Sequence, residues 1–127
     1  MPNVEVVNKA CPVLAQIAEE GWTDNEIARL TIREYAGIFK EKPVDKLILG
    51  CTHYPLFTNI IKQELGNELE IINTGKKVAE YLKENIKEKS EGGNVSCKFY
   101  LTDMESSFIK VATNLLKKDI NIEKADI

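Results

Sequence analysis

Four times along this 127-residue chain a short apolar run gives way to a stretch with helical spacing, and this alternation constrains the fold more than any other feature. Val4–Val7 is a β-branched run and reads as a strand. Pro12 suits the first turn of a helix that continues to about Glu20 and stops at Gly21. Thr23 and Glu26 form a capping box for a second helix with apolar Ile27, Leu30, Tyr35, Ile38 and Phe39, ending before Pro43. Lys46–Gly50 is the second strand, apolar after its lysine, as expected when helices cover both faces of a sheet. A helix from about Pro55 to Leu65, a strand over Leu69–Asn73 and a helix with Val78, Leu82 and Ile86 on one face follow. Lys87–Asn94 reads as a surface turn, and Val95–Leu101 alternates like a strand. Thr102 and Glu105 form a second capping box, for a helix with Phe108, Val111, Ala112 and Leu115 in its buried stripe. The charged tail from Lys117 is expected to fray. Alternation of this kind predicts an α/β fold, with a mainly parallel sheet and flanking helices.

Composition removes several functional classes. Hydrophobic residues make up 43% and charged residues 29%, an ordinary globular balance. The net charge is −3 with no basic stripe, which argues against nucleic acid and anionic membranes as partners. No apolar span reaches transmembrane length, and Met1–Pro12 lacks the pattern of a secretory signal. The three cysteines, Cys11, Cys51 and Cys97, are odd in number and widely spaced, so free thiols in a reducing cytoplasm are the expectation. No Cys-x-x-Cys completes a metal set around Cys51 and His53, and no metal or cofactor is expected.

The chemistry concentrates in Lys46–Phe57, KLILGCTHYPLF, which holds the only histidine of the chain. Ligands of open parallel sheets bind at the carboxyl ends of the strands, where Cys51 lies by position. Gly50 permits a tight turn there. The start of the following helix favours an anion, whether a carboxylate or a thiolate. Thr52 offers a hydroxyl, and His53 a group that titrates near neutral pH. Two readings stand side by side: a proton carrier with its tuning group, or a packed cysteine beside a hydrogen-bonded histidine. Cys11, before Pro12, reads as packing, and Cys97 as a core residue in mid-strand. Glu19 and Glu20 read as solvated residues closing a helix, and Tyr54 and Phe57 as packing.

LILGCTHYPLF resembles the signature around the C-terminal catalytic cysteine of glutamate racemases. ACPVLAQIAEEGW (Ala10–Trp22) resembles the same family's upstream segment, and IINTGKKVAEYL and FYLTDMESSFIKVA resemble its closing strands and helices. The resemblance covers almost the whole chain and is similar to the C-terminal part of the family. His53 favours the glutamate branch, since related aspartate racemases usually carry a glutamate there. It implies cofactor-independent inversion of glutamate at its α-carbon, supplying D-glutamate to peptidoglycan, with two cysteines on opposite faces of that carbon. By matching position Cys51 is one of the pair, Thr52 binds substrate, His53 assists Cys51, and Glu19 hydrogen-bonds and orients His53.

The resemblance also implies an incomplete site. The family's Asp-Ser-Gly and Cys-Asn-Thr motifs, which carry the first cysteine and its supporting aspartate, do not occur here. The expectation is a C-terminal fragment or truncated product of a two-domain fold. Residues 1–74 would fall in the second domain, 75–116 would return to the first, and 117–127 would fray. Alone, such a chain is expected not to racemise glutamate, and its uncovered faces favour self-association or pairing with the missing half. The alternative is a non-catalytic remnant that pairs with another α/β chain. A Cys–His hydrolase is a third reading, weakened because two residues so close on one turn are poorly placed to meet as nucleophile and base.

Overall fold

The computed structural model describes residues 3–86, 97–104, 106–117 and 120–126. Its elements in chain order are α1 (Pro12–Glu19), α2 (Glu26–Glu41), β1 (Lys46–Leu49), a 3-10 turn (Tyr54–Phe57), α3 (Thr58–Leu65), β2 (Glu70–Asn73), α4 (Thr74–Asn85), β3 (Phe99–Leu101), α5 (Ser106–Leu116) and β4 (Ile122–Lys124). β1 and β2 pair in parallel, Lys46 opposite Glu70 and Leu49 opposite Asn73. Their lysine and glutamate side chains form a cross-strand ion pair at the start of the ladder. β3 and β4 form a second, separate parallel pair. The α/β class and parallel pairing match the sequence expectation, although the strands form two small sheets rather than one.

One core joins α1, α2, α3 and β1. Leu14, Ile17 and Ala18 of α1 meet Ala28 and Ile32 of α2, Leu49 of β1, Phe57, and Ile60 and Ile61 of α3. Phe57, at 0% exposure, and Ile60, at 1%, are its largest fully buried side chains. The 3-10 turn thus sends its last residue into the core while its first residues, beside Cys51, stay at the surface end of β1. Pro55 near the start of that turn explains the tight geometry: its fixed φ suits a helical start and it has no N–H to lose.

Several local expectations are corrected. Val4–Val7 forms no strand: Val4 and Val6 are exposed, and no described neighbour supplies the ladder a strand needs. The cap of α2 is Asn25, whose side chain accepts from the Ala28 N–H at 2.9 Å, rather than the Thr23–Glu26 box; asparagine caps as well as threonine. The buried line of α2 is Ala28, Ile32 and Ala36, while Ile27 and Leu30 face outward. Positions spaced by four with two alanines let α2 lie close to its neighbours, and that close approach outweighs the larger side chains one step away. Cys97 is exposed and precedes β3 instead of lying in a strand core. Residues 122–124 of the expected frayed tail are instead β4, held by the ladder to β3 and by the Ala125 N–H donating to the Leu101 carbonyl at 2.8 Å. The expected Lys87–Asn94 turn, Val95, Glu105 of the second capping box and the Phe108 side chain lie outside the described residues.

α4 forms as its spacing predicts, but no residue of it is buried. Val78 is 57% exposed, Tyr81 64% and Leu82 46%, with Ile86 beyond the helix end also exposed. Asn73 starts this helix, its side chain accepting from the Lys76 N–H at 3.1 Å, which explains an asparagine at that position.

α2 and α3 are further joined by charge. Arg33 donates from two nitrogens to the Glu64 carboxylate at 3.1 and 2.9 Å, and Lys40 reaches the same group at 3.5 Å. The Arg33 hydrogen bond, then the Arg33 charge and Lys40, hold the Glu64 carboxyl below its ordinary value of 4.5. A carboxyl lowered on folding adds stability that is present above its unfolded value and lost as pH falls through the folded one. Glu64→Gln is therefore expected to lower the urea midpoint at neutral pH and to flatten the fall in stability below about pH 4.5, as read by urea titrations across that range. Solvent reaches the pair from the half-exposed Arg33 side, so raised salt should shrink the difference.

Candidate functional site

The carboxyl end of β1 runs Leu49, Gly50, Cys51, Thr52, His53 and then the 3-10 turn. The Tyr54 N–H donates to the Cys51 carbonyl at 3.2 Å and the Leu56 N–H to the His53 carbonyl at 3.1 Å, so Cys51–His53 is a hydrogen-bonded turn. Gly50 does not have the left-handed backbone a tight turn would demand, and no atom lies within 4 Å of a Cβ built on it. The expectation of a glycine-dependent turn is corrected to an open backbone edge beside the thiol. The Thr74 hydroxyl, at the start of α4 just after β2, donates to the Leu49 carbonyl at 3.3 Å and closes the far side of the strand end.

The turn brings three of the sequence-selected side chains into a series. Cys51 Sγ lies 3.7 Å from His53 Nδ1, and His53 Nε2 lies 3.4 Å from a Glu19 carboxylate oxygen. The histidine side chain is 30% exposed and that of Glu19 56%, so the series runs from a half-buried thiol outward to solvent. Glu19 is the last residue of α1, which packs against the 3-10 turn. An imidazole between a thiol and a carboxylate can accept or supply a proton on the thiol side. The 3.4 Å separation is longer than a well-made hydrogen bond. Thr52 is exposed beside Cys51, and its hydroxyl makes no hydrogen bond among the described residues. Among those residues no group of three or more metal-ligating side chains comes together.

Two partners of this turn escape a reading of spacing alone. The Tyr54 hydroxyl donates to the Cys11 carbonyl at 3.2 Å, tying the turn to the start of α1. Cys11 itself is half-buried against the core as a packing residue, and burial pushes its thiol above the ordinary value, with Lys9 opposing. Tyr54 stands inside the string that singles out Cys51, but nothing in a linear pattern shows that it reaches 43 residues back.

The fold and site define a class: an α/β chain with a cysteine–histidine–carboxylate series at the carboxyl end of a parallel strand. Comparison with known proteins sharpens it. No protein-family model matches the chain. Glutamate racemase of Geobacter metallireducens is 43% identical over 121 residues, covering 91% of this chain and 44% of its own length. That of a Sulfurihydrogenibium species is 42% identical over 125 residues, covering 98% of this chain and 46% of its own. Among solved structures, glutamate racemase from Francisella tularensis in complex with D-glutamate superposes with a TM-score of 0.80 at 30% identity. It covers 98% of this chain and 48% of its own. The chain is similar to glutamate racemases and spans about half the length of the relatives it matches. No helix among the described residues is long and apolar enough to cross a membrane.

Proposed function

We propose that this chain supplies one side of a cofactor-independent glutamate racemase site, with Cys51 as a proton carrier. The observation that carries the reading is the series Cys51–His53–Glu19, with separations of 3.7 and 3.4 Å, at a strand end in a chain similar to glutamate racemases. As a thiolate, Cys51 takes the α-proton of glutamate and becomes a thiol; a thiol on the opposite face gives its proton to the carbanion and becomes the thiolate. In the reverse direction Cys51 is the donor. His53 assists the proton exchange at Sγ, Glu19 orients the imidazole, and exposed Thr52 meets the substrate carboxylate. The D-glutamate bound in the Francisella tularensis relative supports glutamate as the substrate. Its product would serve peptidoglycan synthesis in the cytoplasm, a compartment in keeping with three free thiols.

Neither Cys11, packed against the core, nor Cys97, exposed before β3, stands in the motif of the second cysteine. The purified chain is therefore expected to form no D-glutamate from L-glutamate in a coupled assay. Racemisation by the chain alone, lost in Cys51→Ser, would show that it holds a full site. The division into residues 1–74 of one domain and 75–116 returning to another is supported by the two separate strand pairs and the uncovered α4.

The exposed Val78, Tyr81 and Leu82 favour a second reading, a non-catalytic module that pairs with another α/β chain. Size-exclusion mass tests it: the module reading expects concentration-dependent association, which Tyr81→Lys abolishes, and a monomer at all concentrations counts against it.

A further inference from the structure

We propose that the Tyr54 hydroxyl is a positioning group that fixes Glu19 against His53; the inference rests on the reading of Cys51, His53 and Glu19 as a proton-transfer series. Helix α1 meets the Cys51–His53 turn at both of its ends. At its start the Tyr54 hydroxyl donates to the Cys11 carbonyl at 3.2 Å. At its last residue Glu19 stands 3.4 Å from His53 Nε2. Between the two, Leu14, Ile17 and Ala18 bind α1 to the core, but apolar contacts are non-directional and do not set how far a helix slides along its axis. A directed hydrogen bond at one end does, and a rigid helix carries that setting to the other.

Packing alone does not account for the hydroxyl. The Tyr54 ring lies partly buried against the core, a place a phenylalanine ring fills equally well. The Cys11 carbonyl already accepts from the Leu14 N–H at 3.2 Å, so it would not be orphaned without Tyr54. The hydroxyl is thus spare for both packing and backbone satisfaction, and what it uniquely does is join the turn to α1. The main chain of the same residue, through its N–H to the Cys51 carbonyl, is part of the turn itself. Burial first, then the neighbouring Cys11 and Cys51, push the Tyr54 hydroxyl above its ordinary value, so it keeps its proton and remains a donor through the range in which an imidazole titrates.

His53 is the only histidine, so its ring signals in the intact chain can be read without ambiguity. The experiment compares the imidazole nitrogen NMR shifts, at one neutral pH, in the native chain, Tyr54→Phe, Glu19→Gln and the double variant, alongside the rate of Cys51 alkylation by iodoacetamide followed by peptide mass. The proposal expects Tyr54→Phe to displace the Nε2 signal in the same direction as Glu19→Gln and to change the alkylation rate several-fold, with the double variant going no further than Glu19→Gln alone. Tyr35→Phe is the control, since it removes the α2 hydroxyl that accepts from the Val13 N–H at 3.4 Å, a bond that ties the start of α1 to α2 and not to the Cys51–His53 turn. If Glu19→Gln moves the signals and Tyr54→Phe does not, or if Tyr35→Phe moves them equally, the positioning role is overturned. If Glu19→Gln moves nothing, it is the His53–Glu19 pairing that fails, and the proposal with it. Should Tyr54→Phe not fold, the native chain still decides: absence of nuclear Overhauser contacts between the Tyr54 ring and Cys11 overturns the tie.

Discussion

Phe57→Ala is expected to cost about 3–5 kcal/mol, the range for truncating a buried phenylalanine. Two terms add: the lost burial of a ring with no exposed surface, and the cavity left among Ile60, Ile61 and the α1 side chains. The site has little freedom to collapse, because Phe57 joins the 3-10 turn directly to α3 and both are held by backbone hydrogen bonds. Domains of this size are stable by only about 5–15 kcal/mol, so the variant should lose a large share of its stability. Urea unfolding followed by circular dichroism measures it. A loss within about 1.5 kcal/mol, the cost of a volume-conserving swap, would mean that the turn is not seated in the core as described. The same variant should also free the Cys51 thiol for rapid alkylation, since the turn that carries it would lose its footing.

The second large effect concerns chemistry. In a chimera where this chain replaces the matching part of the Geobacter metallireducens relative, Cys51→Ser is expected to reduce glutamate racemisation by roughly 10²-fold or more, the range for losing a positioned acid–base group. Serine preserves the size of the side chain but holds its proton far too tightly to act as a base near neutral pH. The chimera should keep its stability, because Cys51 is only half-buried and contributes no core volume comparable to Phe57. The loss should fall on kcat more than on KM, since the thiol acts in the transition state.

Much of this was legible in the chain. The apolar run of Lys46–Leu49, ended by a glycine and followed by a proline-started helical turn, marked a parallel strand and the carboxyl end at which Cys51 lies. The Cys51–His53 pair was visible because both lie on one turn. Glu19 could be tied to it only through the family resemblance, because periodicity places it at a helix end and says nothing about which strand that end meets. Tyr54 read as packing for the same reason: its ring does pack, and its hydroxyl bond spans 43 residues. Val4–Val7 misled because β-branched residues favour a strand only when a neighbour completes the ladder. The face of α2 was misjudged because hydrophobicity ranks Ile27 and Leu30 above alanine, whereas close helix approach rewards Ala28 and Ala36. The Asn25 cap was missed because Thr23 begins an equally good pattern two residues earlier.

Cys51 is proposed to carry a proton to and from the α-carbon of glutamate. Formation of D-glutamate from L-glutamate by the chimera, native against Cys51→Ser, tests it most directly. The expected result is racemisation by the native chimera and its loss in the variant, with both proteins folded to the same urea midpoint. A folded native chimera that does not racemise glutamate, or a Cys51→Ser chimera that racemises as fast as the native one, would contradict it.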